Sequence, residues 1–385
     1  PDSTRSCPLP MMIRALNTVM GNLSAKLDFM VALGTHALMS QRQILNLYGI
    51  DPKERRSIFC KSDFLNHRWD LDDTFHQIGE LDKKKIAEIS NHRLVESVPI
   101  VINKKIFEYD HIIVLSPVFP HEVVGFSGGA KYFFPGISGG EFLHFFHWLG
   151  AVMTNVNTIG MKETPMRKAI DLAMEKITVP IHCLAMVVAS QKELCGLFIG
   201  DIKKTWSRAA DISAVRHVIT KDRSFTTVLG CAPSMYDEIW TAGKVMYKLE
   251  PVVADGGRLI IYGPHINKIS KTWGHIIEKI GYHVRDYFLL QMERFNKIPR
   301  GVLAHSTHVR GSGTFVNGIE CGRIEVILAT SIPPEKCRQI NLGYMDPDKI
   351  KLKEYKKKET EGILFVERAG EVLYKVSDTP RRCKK

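Results

Sequence analysis

Apolar runs that end in a turn, each followed by a helix-like stretch, constrain the fold of this chain most. The runs PIVIN (99–103) and HIIVLSPVF (111–119) read as buried strands, and the turn-rich residues 120–139 then lead into the helical pattern of residues 141–156. This order is typical of open α/β sheets, whose ligands bind at the carboxyl ends of the strands. We therefore predict two α/β domains with mostly parallel sheets and an active site in the cleft between them.

The same order begins again near residue 225, which predicts a second domain. A strand is expected at FTTVLGCAP, a helix at EIWTAGKVMYKLEPVV, and further strands at GRLIIYGPH, GVLAHSTHV and RIEVILATSI. The transition from the first α/β unit to the second falls within residues 215–223, so the predicted domains are 1–216 and 217–385. In the first domain, Ser40 is expected to cap the helix that SQRQILNLYGI forms.

The balance of charge favours an anionic partner without naming one. The 385 residues carry a formal net charge of +12, with a sequence pI near 9.2. The basic clusters are typical of solvated helix faces, because they lack the interleaved aromatic residues that single-stranded nucleic acid binding uses. We expect no nucleic acid partner, and an anion- or RNA-binding protein remains a minor alternative.

The cysteines and the hydropathy pattern bear on the compartment. The eight cysteines form no C-x-x-C pair, which argues against a zinc ribbon or a disulfide framework and favours a reducing compartment. No apolar run reaches the ~18 residues of a membrane span, and no secretory pattern opens the chain. The expected location is the cytoplasm, with no membrane partner.

Residues 120–136, PHEVVGFSGGAKYFFPG, bring together residue types that are common in active sites: a histidine, a lysine and glycine-rich turns. Gly125, Gly128 and Gly129 would let backbone N–H groups approach an anion near Lys131, which suits phosphate. The stretch is not a P-loop, because Ala130 separates the last glycine of the turn from the lysine. A glycine-rich turn with a surface lysine is the competing interpretation.

Four histidines are candidates for the same chemistry. His36 and His121 each follow a strand-like run, and His144 and His147 are spaced to lie on one side of a helix. The aromatic surroundings of the last two also suit a core role. Without a neighbouring carboxylate or third histidine, the pattern does not support a zinc site.

Taken together, these motifs resemble the nickel-pincer lactate racemase family, which racemises or epimerises α-hydroxy acids. PHEVVGFSGGAK, with PGI behind it, matches the longest family motif, and DSTR (2–5), GTH (34–36) and TAGK (241–244) match three others. By this resemblance the chain lacks the N-terminal segment that family members carry before the DSTR turn. It also has Thr241 where the family has glutamine, so lactate itself is not implied as the substrate.

The resemblance implies a role for each motif residue. Lys131 would carry the nickel pyridinium-3,5-bisthiocarboxylate mononucleotide through a covalent bond, and His147 would be the nickel ligand of the protein. His36 and His121 would be the two catalytic acid/base histidines. The implied cofactor-binding residues are Lys131, Ser127, Gly128, Gly129, Pro135 and Arg5, and the implied substrate-binding residues are Arg5, Lys244 and Thr241.

Those residue types suit the implied reaction. Nickel(II) prefers tetragonal sites with soft sulfur donors, which a three-donor pincer plus one imidazole provides. Histidine exists in both protonation states near neutral pH. The implied function is a racemase or epimerase of an α-hydroxy acid that depends on cofactor-maturation enzymes. The alternative is an inactive family remnant that binds a hydroxy acid or nucleotide without turnover.

Overall fold

A computed structural model describes residues 6–190 and 193–377 of the chain. The helices are α1 (Leu9–Asn22), α2 (Gln41–Tyr48), α3 (Pro52–Arg56), α4 (Lys83–Ile89), α5 (Gly140–Met153), α6 (Pro165–Met174), α7 (Ile202–His217), α8 (Ile239–Leu249), α9 (Gly274–Ile280), α10 (Arg285–Leu289), α11 (Met292–Phe295), α12 (Arg300–Arg310) and α13 (Pro334–Gln339).

The strands alternate with these helices along most of the chain. They are β1 (Phe29–Val31), β2 (Phe64–Asn66), β3 (Phe75–Leu81), β4 (Val98–Asn103), β5 (Ile112–Pro117), β6 (Pro120–His121), β7 (Gly125–Phe126), β8 (Ile181–Ser190), β9 (Glu193–Gly200), β10 (Val218–Lys221), β11 (Phe225–Cys231), β12 (Val253–Gly263), β13 (Gly313–Val316), β14 (Ile319–Gly322), β15 (Glu325–Thr330), β16 (Gly343–Tyr344), β17 (Ile363–Val366) and β18 (Leu373–Val376).

The chain forms two compact units, and each is built from several segments. The N-terminal unit comprises Pro1–Phe119, Ser127–Leu143 and Arg167–Ser213, and the C-terminal unit comprises Pro120–Phe126, His144–Met166 and Ala214–Lys385. The stretch that carries most of the motif residues therefore contributes to both units. The division into domains 1–216 and 217–385 stays a prediction.

The N-terminal unit holds three small sheets. Strands β1 and β2 pair in parallel, β3 and β4 pair antiparallel, and β8 lies between parallel β5 and antiparallel β9. Phe29 of β1 stacks on Phe64 of β2 with ring centres 5.0 Å apart, and Tyr48 and Phe59 pack on the same pair. This aromatic core fixes the end of β1, which leads into the Gly34–His36 turn.

The C-terminal unit is organised around one parallel sheet of five strands in the order β16-β15-β12-β11-β17. Its central strands are buried on both faces, as the apolar residues Val228, Leu229, Leu259, Ile260 and Ile261 illustrate. Continuous apolar runs of this kind are characteristic of parallel strands covered by helices. The prediction of an α/β fold with mostly parallel sheets is confirmed.

The local predictions succeeded where a chemical signal marked the element. Ser40 caps α2 in a capping box with Gln43, as expected. The predicted strand GVLAHSTHV is wrong, because these residues belong to the helix α12. Residues 301–309 are buried throughout, so the segment lacks the polar face that would have shown helical periodicity. Within the described residues, no helix combines the length and the apolar character that a membrane crossing requires.

Candidate functional site

His36 lies in a tight turn just beyond β1. Gly34 has a φ of +59°, a conformation that favours glycine, and the backbone N–H of His36 donates to the carbonyl of Leu33 at 3.0 Å. The His36 side chain is partly exposed. The turn thus presents the imidazole from a constrained backbone, as a reacting group requires.

Asn66 at the end of β2 and Trp69 just beyond it hold the His36 turn and the backbone that follows it. The indole N–H of Trp69 donates to the His36 carbonyl at 2.8 Å. The Asn66 amide nitrogen donates to the Met39 carbonyl at 2.7 Å, and the Asn66 amide oxygen accepts from the Met39 N–H at 3.2 Å. These three bonds fix the backbone from His36 to Met39.

The glycine-rich turn is held by close packing. Gly128 has a φ of +84°, and a Cβ there would lie 2.5 Å from the Ser116 hydroxyl. A Cβ on Gly129 would lie 2.9 Å from the Trp206 ring, and the Gly129 N–H donates to the Ser116 hydroxyl at 2.6 Å. Trp206 donates in turn to the Ser127 carbonyl at 2.9 Å. Both glycines are therefore required by the fold of this turn itself.

Ser127 is buried, and its polar groups form hydrogen bonds with the backbone of Pro117, the last residue of β5, and of Phe119, just beyond it. Its hydroxyl accepts from the Phe119 N–H at 3.0 Å and donates to the Pro117 carbonyl at 3.2 Å. Its own N–H donates to the Phe119 carbonyl at 2.8 Å. The cofactor-binding role expected for Ser127, Gly128 and Gly129 stays a prediction, and a cofactor contact would have to be added to these bonds.

Lys131 lies in the short 3-10 turn Gly129–Tyr132, and its side chain is half-buried. The Lys131 carbonyl accepts from the Gly136 N–H at 3.1 Å, and the Gly136 carbonyl accepts from the Gly34 N–H at 2.9 Å. Pro135, next to Gly136, is buried behind a cis peptide bond. Two consecutive backbone hydrogen bonds thus join the lysine turn to the histidine turn, although the sequence separates them widely.

His121 lies in the β6–β7 hairpin of the C-terminal unit, where it pairs with Gly125. Its side chain is only 5% exposed, and its Nδ1 lies 3.1 Å from the Val123 N–H and 3.4 Å from Glu122 Oε2. The same carboxylate oxygen lies 3.9 Å from the Nζ of Lys248, whose side chain is 3% exposed. A backbone donor and a carboxylate acceptor therefore both face one ring nitrogen.

The two histidines of α5 differ in their surroundings. His144 accepts from the Gly301 N–H at 3.3 Å and packs against Trp273, and burial together with the Arg300 charge lowers its pKa to about 4. It therefore serves the packing of the C-terminal unit. His147 is partly exposed and contacts the Phe146 ring edge-on at 5.2 Å. The metal-ligand role expected for His147 stays a prediction.

The TAGK segment lies in the first two turns of α8. Thr241 is buried, and its hydroxyl donates to the Glu238 carbonyl at 3.1 Å. The Nζ of Lys244 lies 5.0 Å from the centre of the Tyr236 ring, within cation–π range. The substrate-binding role expected for Thr241 and Lys244 stays a prediction.

Three elements of the C-terminal unit pack on one another and carry its predicted site residues. The β6–β7 hairpin contacts α5, because a Cβ on Gly150 would lie 2.7 Å from Val123. Glu122 of the hairpin reaches Lys248 of α8, and Asn155, just beyond α5, donates to the Tyr247 carbonyl of α8 at 3.2 Å. His121, His147 and Lys244 therefore lie on mutually packed elements. Arg5 lies outside the described residues.

Sequence reasoning missed Glu122 and Lys248. Glu122 directly follows a candidate histidine, and Lys248 lies one helical turn beyond Lys244. Nothing in the sequence at either position indicates that the side chain is buried. Burial raises the pKa of Tyr247 well above its usual range, and the Glu122 charge adds to this effect. Burial also lowers the pKa of His308 to about 4, against the opposing effect of Glu122.

The described part of the chain does not supply a complete metal site. Among residues 6–190 and 193–377, no three histidine, cysteine, aspartate or glutamate side chains are grouped so that they could hold a metal ion by themselves. A metal here would therefore need donors from a bound group in addition to one imidazole.

Comparisons with known proteins agree on one family. Residues 1–160 match the family model for the lactate racemase N-terminal domain. Lactate racemase from Thermoanaerobacterium thermosaccharolyticum is 22% identical over 266 residues, which make up 68% of this chain and 57% of that enzyme. The match thus spans a little over half the length of the curated relative.

Two solved structures share the fold. A protein from Thermotoga maritima is 34% identical, with a TM-score of 0.89 over 98% of this chain and 92% of that one. The lactate racemase apoprotein from Thermoanaerobacterium thermosaccharolyticum is 18% identical, with a TM-score of 0.73 over 98% of this chain and 85% of that one. The matched N-terminal domain model and the shared fold relate this chain to the lactate racemase family.

Proposed function

We propose that this protein racemises or epimerises an α-hydroxy acid with a nickel-pincer mononucleotide attached at Lys131. The relation to the lactate racemase family supports a racemase-like activity, and the motif residues support the cofactor. The observation that carries the proposal is the pair of backbone hydrogen bonds that joins the Lys131 turn to the His36 turn. It links the expected anchor of the cofactor to one of the expected acid/base groups.

The residues present fit such a group in two respects. Lys131 is half-buried on a turn fixed by buried bonds, so its amine is held in place while remaining accessible. The expected metal ligand, His147, is partly exposed, whereas its neighbour His144 is occupied by packing. A pincer group brings three donors of its own, so a single imidazole completes a four-coordinate nickel site.

When bound, the cofactor would supply a centre that accepts hydride from the substrate carbon and returns it. The protein must then move only the hydroxyl proton and hold the substrate while it is oxidised. We assign the transfer of that proton to His36 and His121, with one histidine serving each enantiomer of the substrate. Imidazole suits this role because it accepts and donates protons near neutral pH. Turns with fixed backbones keep both rings in place for this transfer.

The substrate carboxylate would be bound by Arg5 and Lys244, with Thr241 beside it. Charge-assisted hydrogen bonds from cationic side chains would retain the oxidised substrate between the two proton transfers. Because the Thr241 hydroxyl already donates within α8, its oxygen would contribute an acceptor and its small size would leave space. We therefore propose an α-hydroxy acid larger than lactate among the candidate substrates.

The proposal also names partners and a location. A cofactor of this kind has to be synthesised and attached, so we propose cofactor-maturation enzymes as partners. Free thiols at all seven cysteines within the described residues are consistent with a reducing compartment, which we propose to be the cytoplasm.

The covalent anchor can be tested by intact mass spectrometry. The protein is produced together with cofactor-maturation enzymes, and its mass and nickel content are measured before and after Lys131→Ala. We expect an adduct and nickel in the parent protein and in the control variant Lys83→Ala, whose lysine is exposed on α4, and neither in Lys131→Ala. An adduct that persists in Lys131→Ala would contradict the assignment.

A further inference from the structure

We propose that Glu122 is a positioning residue that selects the His121 tautomer with its proton on Nδ1, and that Lys248 orients Glu122 for this task. The proposal deepens the function proposed above and rests on it for its catalytic meaning. The tautomer itself is a property of the protein alone.

The two neighbours of His121 Nδ1 favour opposite tautomers. The Val123 N–H, at 3.1 Å, requires an Nδ1 without a proton, which places the proton of the neutral ring on Nε2. Glu122 Oε2 lies 3.4 Å from the same nitrogen, and it would accept from a protonated Nδ1, which leaves Nε2 without a proton. Only the second arrangement lets Nε2 take a proton from a substrate hydroxyl.

The arrangement with Glu122 also serves the return step. When Nε2 has accepted the hydroxyl proton, the ring carries a proton on each nitrogen and a positive charge. The Nδ1 proton then continues to donate to the Glu122 carboxylate, which stabilises that charge. In a racemising turnover that starts at His121, His36 supplies the proton of the new enantiomer, so the two imidazoles together gain one proton and lose one. In the reverse turnover the Nε2 proton of His121 goes to the substrate oxygen, and the ring returns to its starting tautomer.

Lys248 gives the carboxylate its orientation. Its side chain is 3% exposed, and that of Glu122 is 13% exposed, so little water competes for either group. Tyr247 of α8 and His308 of α12 are further titratable groups close enough to feel the Glu122 charge. The buried Lys248 ammonium lies 3.9 Å from Glu122 Oε2 and so presents a positive charge to that oxygen.

The same geometry predicts what Glu122→Leu would do. The variant keeps much of the side-chain volume but removes Oε2, the oxygen that faces both His121 Nδ1 and the Lys248 ammonium. The Val123 N–H still donates to Nδ1, and no acceptor from residue 122 competes with it. The variant should therefore move the proton of the neutral ring to Nε2.

The chain offers a matched control in a second His–Glu pair of the C-terminal unit. His283 Nδ1 lies 2.6 Å from Glu320 Oε2, and an amide donor from Asn341 lies 3.3 Å from the same nitrogen. This pair repeats the competition seen at His121 but has no place in the proposed chemistry. Glu320→Leu should alter His283 and leave His121 unchanged.

The test is nitrogen NMR of protein labelled with ¹⁵N in its histidines, in the absence of cofactor. Spectra are recorded about two pH units above the ordinary histidine pKa of ~6.5, and the His121 signals are assigned by their loss in His121→Gln. We expect the parent protein and Glu320→Leu to show His121 with the proton on Nδ1. Glu122→Leu should show it on Nε2.

Turnover of the loaded enzyme separates this inference from the proposed function. Glu122→Leu should lower kcat by about 10²- to 10³-fold, within the range of acid/base catalysis, and Glu320→Leu should not. A parent protein with its His121 proton on Nε2, or a Glu122→Leu variant with unchanged tautomer and kcat, would overturn the inference. The expected tautomers without racemisation by the loaded parent enzyme would instead refute the proposed function.

Discussion

The two histidines proposed as acid/base groups are held in opposite ways. His36 is fixed through its backbone, by Trp69 and by the Gly34 bond to Gly136, and its ring is partly exposed. His121 is fixed through its ring, which is nearly buried and faces a carboxylate and a backbone donor. The contrast indicates that the protein controls the position of one imidazole and the protonation of the other.

Replacement of either histidine tests whether both are needed, and it should produce the largest effect. We expect His36→Gln and His121→Gln each to lower the rate of interconversion by about 10³-fold, because acid/base groups contribute 10²- to 10⁴-fold. The measurement is chiral chromatography of a panel of α-hydroxy acids, started from each enantiomer. His144→Gln is the control from α5. Full activity in either variant would remove that histidine from the mechanism.

Loss of the Trp69 bond sharpens the comparison with a smaller effect. Trp69→Phe removes the donor to the His36 carbonyl, which should cost about 1 kcal/mol of unfolding free energy. We expect kcat to fall about tenfold, which corresponds to a rise of ~1.4 kcal/mol in activation free energy. The His121 tautomer should not change. Trp206→Phe, which removes the bond to Ser127, is the matched control.

The two tryptophan variants should differ in what they impair. Trp206→Phe loosens the turn that carries Lys131, so we expect less covalent cofactor by intact mass and normal turnover per cofactor. Trp69→Phe should show full cofactor attachment and slower turnover. Equal behaviour of the two variants would mean that the His36 turn and the lysine turn are not supported separately.

The parts of this molecule that the sequence predicts are those with local chemical signals. Ser40 begins α2 because its hydroxyl and Gln43 close a capping box within four residues. The apolar runs of the parallel strands are equally local. By contrast, α12 was mistaken for a strand because burial on every side removes the periodicity that distinguishes a helix.

The sequence predicts the residues of the site but not the contacts that hold them in position. The sequence motifs are sufficient to identify His36, His121, Lys131 and His147 as candidate site residues. The bond between Gly34 and Gly136 and the approach of Lys248 to Glu122 depend on how distant segments pack. No spacing in the sequence encodes that packing, so the positioning residues emerge only from the structure.

The central claim is that hydrogen leaves and returns to the substrate carbon within the protein while the histidines move only the hydroxyl proton. The most direct measurement is racemisation of an α-hydroxy acid in D₂O by the loaded enzyme, with mass analysis of the newly formed enantiomer. The account predicts that this enantiomer keeps its original hydrogen on the α-carbon. Deuterium at that carbon would contradict it, because the hydrogen would then have exchanged with solvent as a proton.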